Sequence, residues 1–382
     1  MMRIAFYAPM KSPEHPNPSG DRQIAQLLMR ALDQGGHQVQ LASQHRSYDG
    51  TGDTTTQAAI KREGGRLASR LLDAYSNSTI SKPNIWLTYH LYHKAPDWIG
   101  PRICKTLKIP YIIAEASYAA KQTGGPWDLG LQASKQAIEM ASAIISFNTV
   151  DDACVSSLLR GGTKIFSIPP FVDTQPYAAA AKEKMLHRRL TAGRYSIDPG
   201  VPWLLCVAMM RPGDKIRSYE QLGTALSILK DRPWRLLVIG DGTVRERATR
   251  ALAAIDDHVH WIGRQDAEKL PGFYAACDLY VWPAVNEAFG MAFVEAQASG
   301  LAAVAGNYGG VQGVVNAPDC GLLVEPGNPE ALAVAVAKLL DEPENRQAMA
   351  SRAQQHTWQH HGLDTGASAL DRVLNEVTSC QS

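Results

Sequence analysis

The sequence predicts an α/β protein of two doubly wound domains, each a parallel sheet flanked by helices. Short apolar runs alternate along the chain with stretches whose apolar residues recur at helical spacing, the pattern of β-α-β units. The alternation breaks at Pro169-Pro170 and a mixed Ala, Lys, Arg and Gly segment, then resumes near Trp203. A length of 382 residues suits two domains of ordinary size.

Arg3 to Pro9 is a first apolar strand ending in a polar loop that contains Ser19-Gly20-Asp21. Ile24, Leu27, Leu28, Ala31 and Leu32 then mark a helix that Gly35-Gly36 ends, and Val39 to Ala42 is the next strand. Asp49 to Thr56 reads as an exposed loop before a helix over 57–75. Ile85 to Tyr89, Tyr111 to Ala114, Ala143 to Phe147 and Lys164 to Ile168 complete the strands of the first half. Residues 174–200 are expected to link the domains. Beyond them, strands are expected at Trp203 to Ala208, Arg235 to Ile239, Val259 to Ile262, Leu279 to Trp282 and Ala302 to Ala305. Helices are expected at 219–230, 244–255, 265–276 and 289–299. In such sheets a ligand sits at the C-terminal ends of the strands.

Composition excludes several classes. With 45% hydrophobic and 20% charged residues the chain has an ordinary globular balance. A formal net charge of +1 gives no global field for a polyanion, so nucleic acid is not an expected partner. The cysteines Cys104, Cys154, Cys206, Cys277, Cys320 and Cys380 are scattered without a C-x-x-C, as reduced cytosolic thiols would be. The first ten residues read as a strand rather than a signal peptide, and no apolar run approaches a membrane span. A cytoplasmic protein is expected, with peripheral membrane contact left open.

Several residue groups carry chemistry. Gly240-Asp241-Gly242 follows the strand Leu236 to Ile239, where glycine lets backbone approach a bound group; a plain strand-to-helix turn is the alternative, and the third glycine of a dinucleotide fingerprint is missing. Glu287 and Glu295 flank Phe289-Gly290 at a helix entry, which joins carboxylates to unpaired amides and a positive dipole end. Arg211 and Lys215 follow the first strand of the second half, where cations would neutralise a departing diphosphate. There is no D-x-D, the paired carboxylate that holds a divalent ion on a diphosphate. His90 and His93 end a strand of the first half, and Trp86, Trp98, Trp127, Tyr89, Tyr92 and Tyr118 gather there, as core or as an acceptor platform.

The stretch from Phe273 to Gly300, with Asn286-Glu287-Ala288-Phe289-Gly290 and Glu295, resembles the E-x7-E signature of retaining GT-B glycosyltransferases of the family-four, group 1 type. Ser19-Gly20, Pro169 to Asp173, Gly240 to Gly242, Ile262-Gly263-Arg264, Asn307 to Gly310 and Gly321 to Val324 fall in family order. The resemblance implies two Rossmann-like domains facing a cleft: 1–173 on the acceptor side, joined by a C-terminal helix at about 358–382 opened by Trp358, and 201–357 binding the sugar nucleotide. It implies a retaining, metal-independent hexosyl transfer from a UDP- or GDP-linked sugar to a saccharide, lipid-linked or small-molecule acceptor, with no separate cofactor. Glu287 would contact the donor sugar and Glu295 the ribose. Amides around Phe289, Gly290 and Met291 would hold sugar and phosphate, Gly20 would approach the diphosphate, and Arg264 would flank the base. The family's Arg/Lys pair falls on Arg211 and Lys215, with the spacing one residue short and Met210 an alternative for the arginine position. The histidine that relatives carry after the strand at Tyr111 is absent, so Glu115 or His90 takes its place. A non-catalytic sugar-nucleotide binder, a GT-B-fold epimerase or phosphorylase, and a dinucleotide oxidoreductase are the rival readings.

Overall fold

The computed structural model describes every residue except Pro18, Thr149, Val150, Phe289 and Cys380 to Ser382. The chain forms two compact units, one of Met1–Ile168 with Asp364–Ser382, the other of Pro169–Leu363.

In the first unit, strands β1 (Arg3–Tyr7), β2 (Gln38–Ser43), β3 (Ile85–Leu91), β4 (Tyr111–Ala116), β5 (Ala143–Ser146) and β6 (Lys164–Ser167) form one parallel sheet in the order β2-β1-β3-β4-β5-β6. Helices α1 (Gly20–Gln34), α2 (Thr54–Ser76), α3 (Gly100–Leu107), α4 (Asp128–Met140) and α5 (Asp152–Ser156) connect them. The inner strands are nearly continuous apolar runs because both sheet faces are covered. Phe6, Leu87, Ile112 and Ile145 are wholly buried, each worth about 1.5–3 kcal/mol by area. Edge strand β2 is half exposed and alternates. Ser19 caps α1 by accepting from Arg22 N, and the buried stripe Ile24, Leu27, Leu28, Ala31 and Leu32 fixes its inner face. Asp53 caps α2 in the same way through Thr56 N, so that helix starts within the expected loop.

The second unit opens with α6 (Gln175–Lys182) and α7 (Lys184–Tyr195). Its strands are β7 (Trp203–Val207), β8 (Arg235–Ile239), β9 (Val259–Gly263), β10 (Leu279–Trp282), β11 (Ala302–Gly306) and β12 (Gly321–Val324), ordered β12-β11-β10-β7-β8-β9 and all parallel. Helices α8 (Asp214–Ser227), α9 (Arg245–Ala251), α10 (Leu270–Ala276), α11 (Met291–Ala298), α12 (Pro329–Asp341) and α13 (Pro343–His360) complete it. The last helix, α14 (Leu363–Ser379), falls with the first unit from Asp364 on. There Asp371 accepts from His37 at 3.2 Å, and Asp364 accepts from Gln34.

Two expectations are corrected here. Residues 174–200 are not a linker: α6 and α7 belong to the second unit and pack on α10. Their polar composition hides a buried anchor. Asp278, just before β10, accepts from Arg188 at 2.8 Å, Lys184 at 3.0 Å and the Trp203 amide at 2.9 Å. Burial pushes the Asp278 carboxyl up, but Lys184, the Trp203 amide and Arg188 outweigh it and hold the pKa below the ordinary value. Arg188 also donates to the carbonyls of Ala276, Pro199 and Val201 and stacks on the Trp203 ring at 4.3 Å. The second correction concerns Trp358, which opens no helix. It lies inside α13 and donates to Ala298 O at 3.1 Å, so the segment placed with the first unit starts at Asp364 rather than 358.

Candidate functional site

Each sheet has one point where the strand order reverses. In the second unit β7 lies between β8 and β10, with β8-β9 to one side and β10-β11-β12 to the other. The crevice outside the strand ends at such a point is where open α/β sheets hold ligands. Helix α8 begins five residues earlier than its apolar pattern suggests, at Asp214, which places Lys215 in its first turn. The Lys215 ammonium pairs with the Glu287 carboxylate from the loop after β10 and sits 5.7 Å from the Trp282 ring centroid. The two loops are sewn together beneath this pair. Ser218 Oγ accepts from Val285 N at 3.0 Å and donates to Asp214 O at 3.0 Å, and Asn286 Nδ2 donates to Asp214 at 3.2 Å. Ala284 and Asn286 have positive φ, an arrangement that non-glycine residues keep only where the surroundings enforce it. Gly290, with φ of 63°, leads into α11, whose first amides lack intrahelical acceptors. A Cβ on Gly290 would lie 2.6 Å from the Phe293 ring. Met291 is the first residue of that helix. Phe289 lies outside the described residues.

Glu295 is placed differently from Glu287. It is buried in the middle of α11 and accepts from the Tyr274 hydroxyl at 2.8 Å. Burial first, and then the Glu295 charge, push the Tyr274 and Tyr177 hydroxyls well up, so both remain donors. The two glutamates are therefore not equivalent carboxylates on one helical face.

The glycines of Gly240-Asp241-Gly242 serve a packing role that the sequence did not reveal. A Cβ on Gly240 would fall 1.9 Å from Ala208 O, and one on Gly242 2.2 Å from Met210 O. Their close approach is to the loop after β7, where Met210 N donates to Asp241 O at 3.0 Å. Met210 is wholly buried and is no stand-in for a surface cation. Arg211 is exposed, with its guanidinium against the Met209 sulfur. Arg264 is exposed beyond β9.

In the first unit the order reverses between β1 and β3. Tyr89 pairs with Ala114 and Leu91 with Ala116, so His90 and Glu115 occupy matching positions at the C-terminal ends of β3 and β4. Both have left-handed backbone, φ of 62° and 60°. His90 Nδ1 is 2.8 Å from Asp21 Oδ1 in the first turn of α1, next to Gly20. Glu115 accepts from Phe147 N at 2.6 Å. Burial raises the Glu115 carboxyl to about 7, opposed by the Phe147 amide and the His90 charge. His93 lies apart from this group, with its ring edge-on to Trp127 at 6.1 Å. Trp86 and Tyr89 are buried core, so the aromatic cluster is not one platform.

Residues 207–356 match the family model described as glycosyl transferases group 1. That stretch of the chain resembles the group 1 glycosyl transferases. The chain is 33% identical over 159 residues to D-inositol 3-phosphate glycosyltransferase of Corynebacterium urealyticum, covering 40% of this chain and 38% of that protein. It is 29% identical over 222 residues to GDP-mannose-dependent alpha-(1-6)-phosphatidylinositol monomannoside mannosyltransferase of Mycobacterium tuberculosis, covering 54% of each. The chain thus spans about half or less of the length of these relatives. A solved glycosyltransferase of Rickettsia africae superposes with a TM-score of 0.75 at 17% identity, over 99% of this chain and 98% of that one, which shows the GT-B fold.

Among the described residues, no group of three or more His, Cys, Asp or Glu could hold a metal ion, and no helix is long and apolar enough to cross a membrane. The sequence singled out Lys215, Glu287, His90 and Glu115 but missed three partners. In the sequence Asp21 reads as a polar loop residue, Tyr274 as core, and Ser218 as a residue just ahead of a helix; no local signal marks their contacts.

Proposed function

We propose that this chain is a retaining glycosyltransferase that moves a hexosyl unit from a UDP- or GDP-linked sugar to an acceptor hydroxyl without a metal ion. The observation that carries this reading is the Lys215–Glu287 pair at the β7/β10 reversal, next to the Gly290 entry of α11. When donor binds, the Lys215 ammonium neutralises charge on the departing diphosphate, and the amides at Gly290 and Met291 add donors that need no reorganisation. Glu287 accepts hydroxyls of the donor sugar. Glu295 holds the ribose, with Tyr274 fixing its carboxylate. Arg264 flanks the base, and Arg211 adds a second, exposed cation. Gly240 and Gly242 act through loop packing.

The first unit is the acceptor side, where His90 with Glu115 replace the histidine usual in relatives. The mannosyltransferase relative named for GDP-mannose and a phosphatidylinositol acceptor supports trying that donor and a lipid-linked acceptor first. Peripheral membrane contact and a cytoplasmic location fit such an acceptor, and the near-zero net charge leaves no role for nucleic acid.

A thermal-shift panel of nucleoside diphosphates and their sugars, with and without EDTA, tests this, because a ligand of the folded state raises the melting temperature. One base family should stabilise the protein in both buffers, and the matching sugar nucleotide should be turned over. Stabilisation without turnover on any acceptor would make the chain a sugar-nucleotide binder. Stabilisation that EDTA abolishes would end the metal-free reading.

A further inference from the structure

We propose that Asp21 is a positioning residue for His90, holding its Nδ1–H so that Nε2 is presented, beside Glu115, to a hydroxyl of the acceptor. The inference rests on the transferase reading above and adds a residue and a defined imidazole tautomer to it.

Three independent features lead to it. Asp21 and His90 are 69 positions apart and meet only because β1 and β3 are neighbours, with α1 starting above one and β3 ending at the other. Their 2.8 Å contact has one sense: an ionised carboxylate only accepts, so Nδ1 carries the hydrogen and Nε2 of the neutral ring is the acceptor. The His90 side chain is 32% exposed, so Nε2 is reachable. Second, His90 and Glu115 are left-handed non-glycine residues at matching positions of adjacent strands. Such conformations cost about 1–3 kcal/mol each. Lys108 and Ser196, which share the conformation, cap helix ends, whereas His90 and Glu115 cap nothing. Third, three carboxylates face the ring. Asp21 comes from α1, Glu115 from β4 and Asp151 from the segment after β5, with Tyr89 on the ring's own strand and Tyr92 just beyond its end. In a Ser-His-Asp triad a carboxylate on Nδ1–H likewise sets the tautomer and orientation of the imidazole that does the work.

The test uses the full chain. Long-range 15N–1H spectra of the histidine rings, with His90 assigned by its loss in His90→Gln, should show the Nδ1–H tautomer in the wild type at alkaline pH. Asp21→Ala should move the ring toward Nε2–H. It should lower kcat about tenfold to a hundredfold and raise KM for acceptor, leaving KM for donor and the melting temperature near wild type. Asp21→Asn, which keeps the shape, should fall between. An Nε2–H tautomer in the wild type, or an Asp21→Ala enzyme with unchanged kcat and acceptor KM, would overturn the proposal. If the wild type turns over no sugar nucleotide, the transferase reading fails by itself, and the tautomer still decides whether Asp21 orients His90.

Discussion

The first unit presents an imidazole among carboxylates at its strand reversal, His90 with Asp21 and Glu115, whereas the second presents an ammonium paired with a carboxylate, Lys215 with Glu287, next to helix amides. The backbones differ in parallel. The loops of the second unit are zipped by glycines that fit against carbonyls of the neighbouring loop, at Gly240 and Gly242. The first holds side chains in strained positions at His90 and Glu115. A phosphate group is met by fixed dipoles and a cation, which backbone and one lysine supply. A hydroxyl is met by groups that both accept and donate, which only side chains supply. On the proposed function, the two ends are divided along these lines.

The largest effect expected is on the base of the second unit. Asp278→Ala leaves Arg188 buried without its partner, and urea unfolding should show a loss of about 3–5 kcal/mol. A loss under 1 kcal/mol would mean that α6 and α7 do not brace this unit. Next is Lys215→Ala, which should reduce turnover by about 10²–10³ while the melting temperature moves little, since a single ion pair still reached by solvent contributes little to stability. Glu287→Gln should lose turnover comparably yet bind free nucleoside diphosphate at least as tightly, because Lys215 is released from its competing carboxylate. Calorimetry showing weaker diphosphate binding would place Lys215 outside the phosphate site.

Glu115 gives the first unit its own signature. Its pKa of about 7 in the folded chain stands above the ordinary 4.5. Between those values the folded protein keeps a proton that the unfolded chain releases, so stability is full at low pH and falls as pH rises. By about pH 8 the loss should approach 3 kcal/mol. Glu115→Gln, which can still accept from Phe147 N, should remove that slope and melt higher than wild type at pH 8 but not at pH 4. Parallel melting curves of the two proteins across this range would refute the raised pKa. The smallest effect expected is Tyr274→Phe. Removing the hydroxyl donor to buried Glu295 should cost about 1–3 kcal/mol of stability and raise KM for donor more than it lowers kcat. An unchanged donor KM would make Glu295 a structural anchor for α10.

Much of the second unit was legible because its chemistry is local. Glu287, Gly290 and Glu295 lie within one loop and helix, and Lys215 stands one short loop beyond a strand. In the first unit Asp21, His90 and Glu115 are far apart in sequence, and each alone reads as an ordinary loop, strand-end or core residue. Residues 174–200 misread as a linker for a related reason. Their buried residues are Tyr177, Ala180, Arg188, Thr191 and Ile197 rather than an aliphatic stripe, and the carboxylate that makes Arg188 a core residue is 90 positions away.

The sequence by itself determined the class of the fold, the existence of two parallel sheets and the glycine-led entry of α11. Strands covered on both faces must be apolar throughout, and a helix entry must carry glycine and polar residues in a fixed local order. Tertiary structure alone decided which strands became neighbours. It therefore decided that Asp21 orients toward His90, that Glu115 stands next to it, that Lys215 pairs with Glu287 and that Tyr274 reaches Glu295. Those contacts depend on strand order and packing across the sheet, which no local spacing encodes.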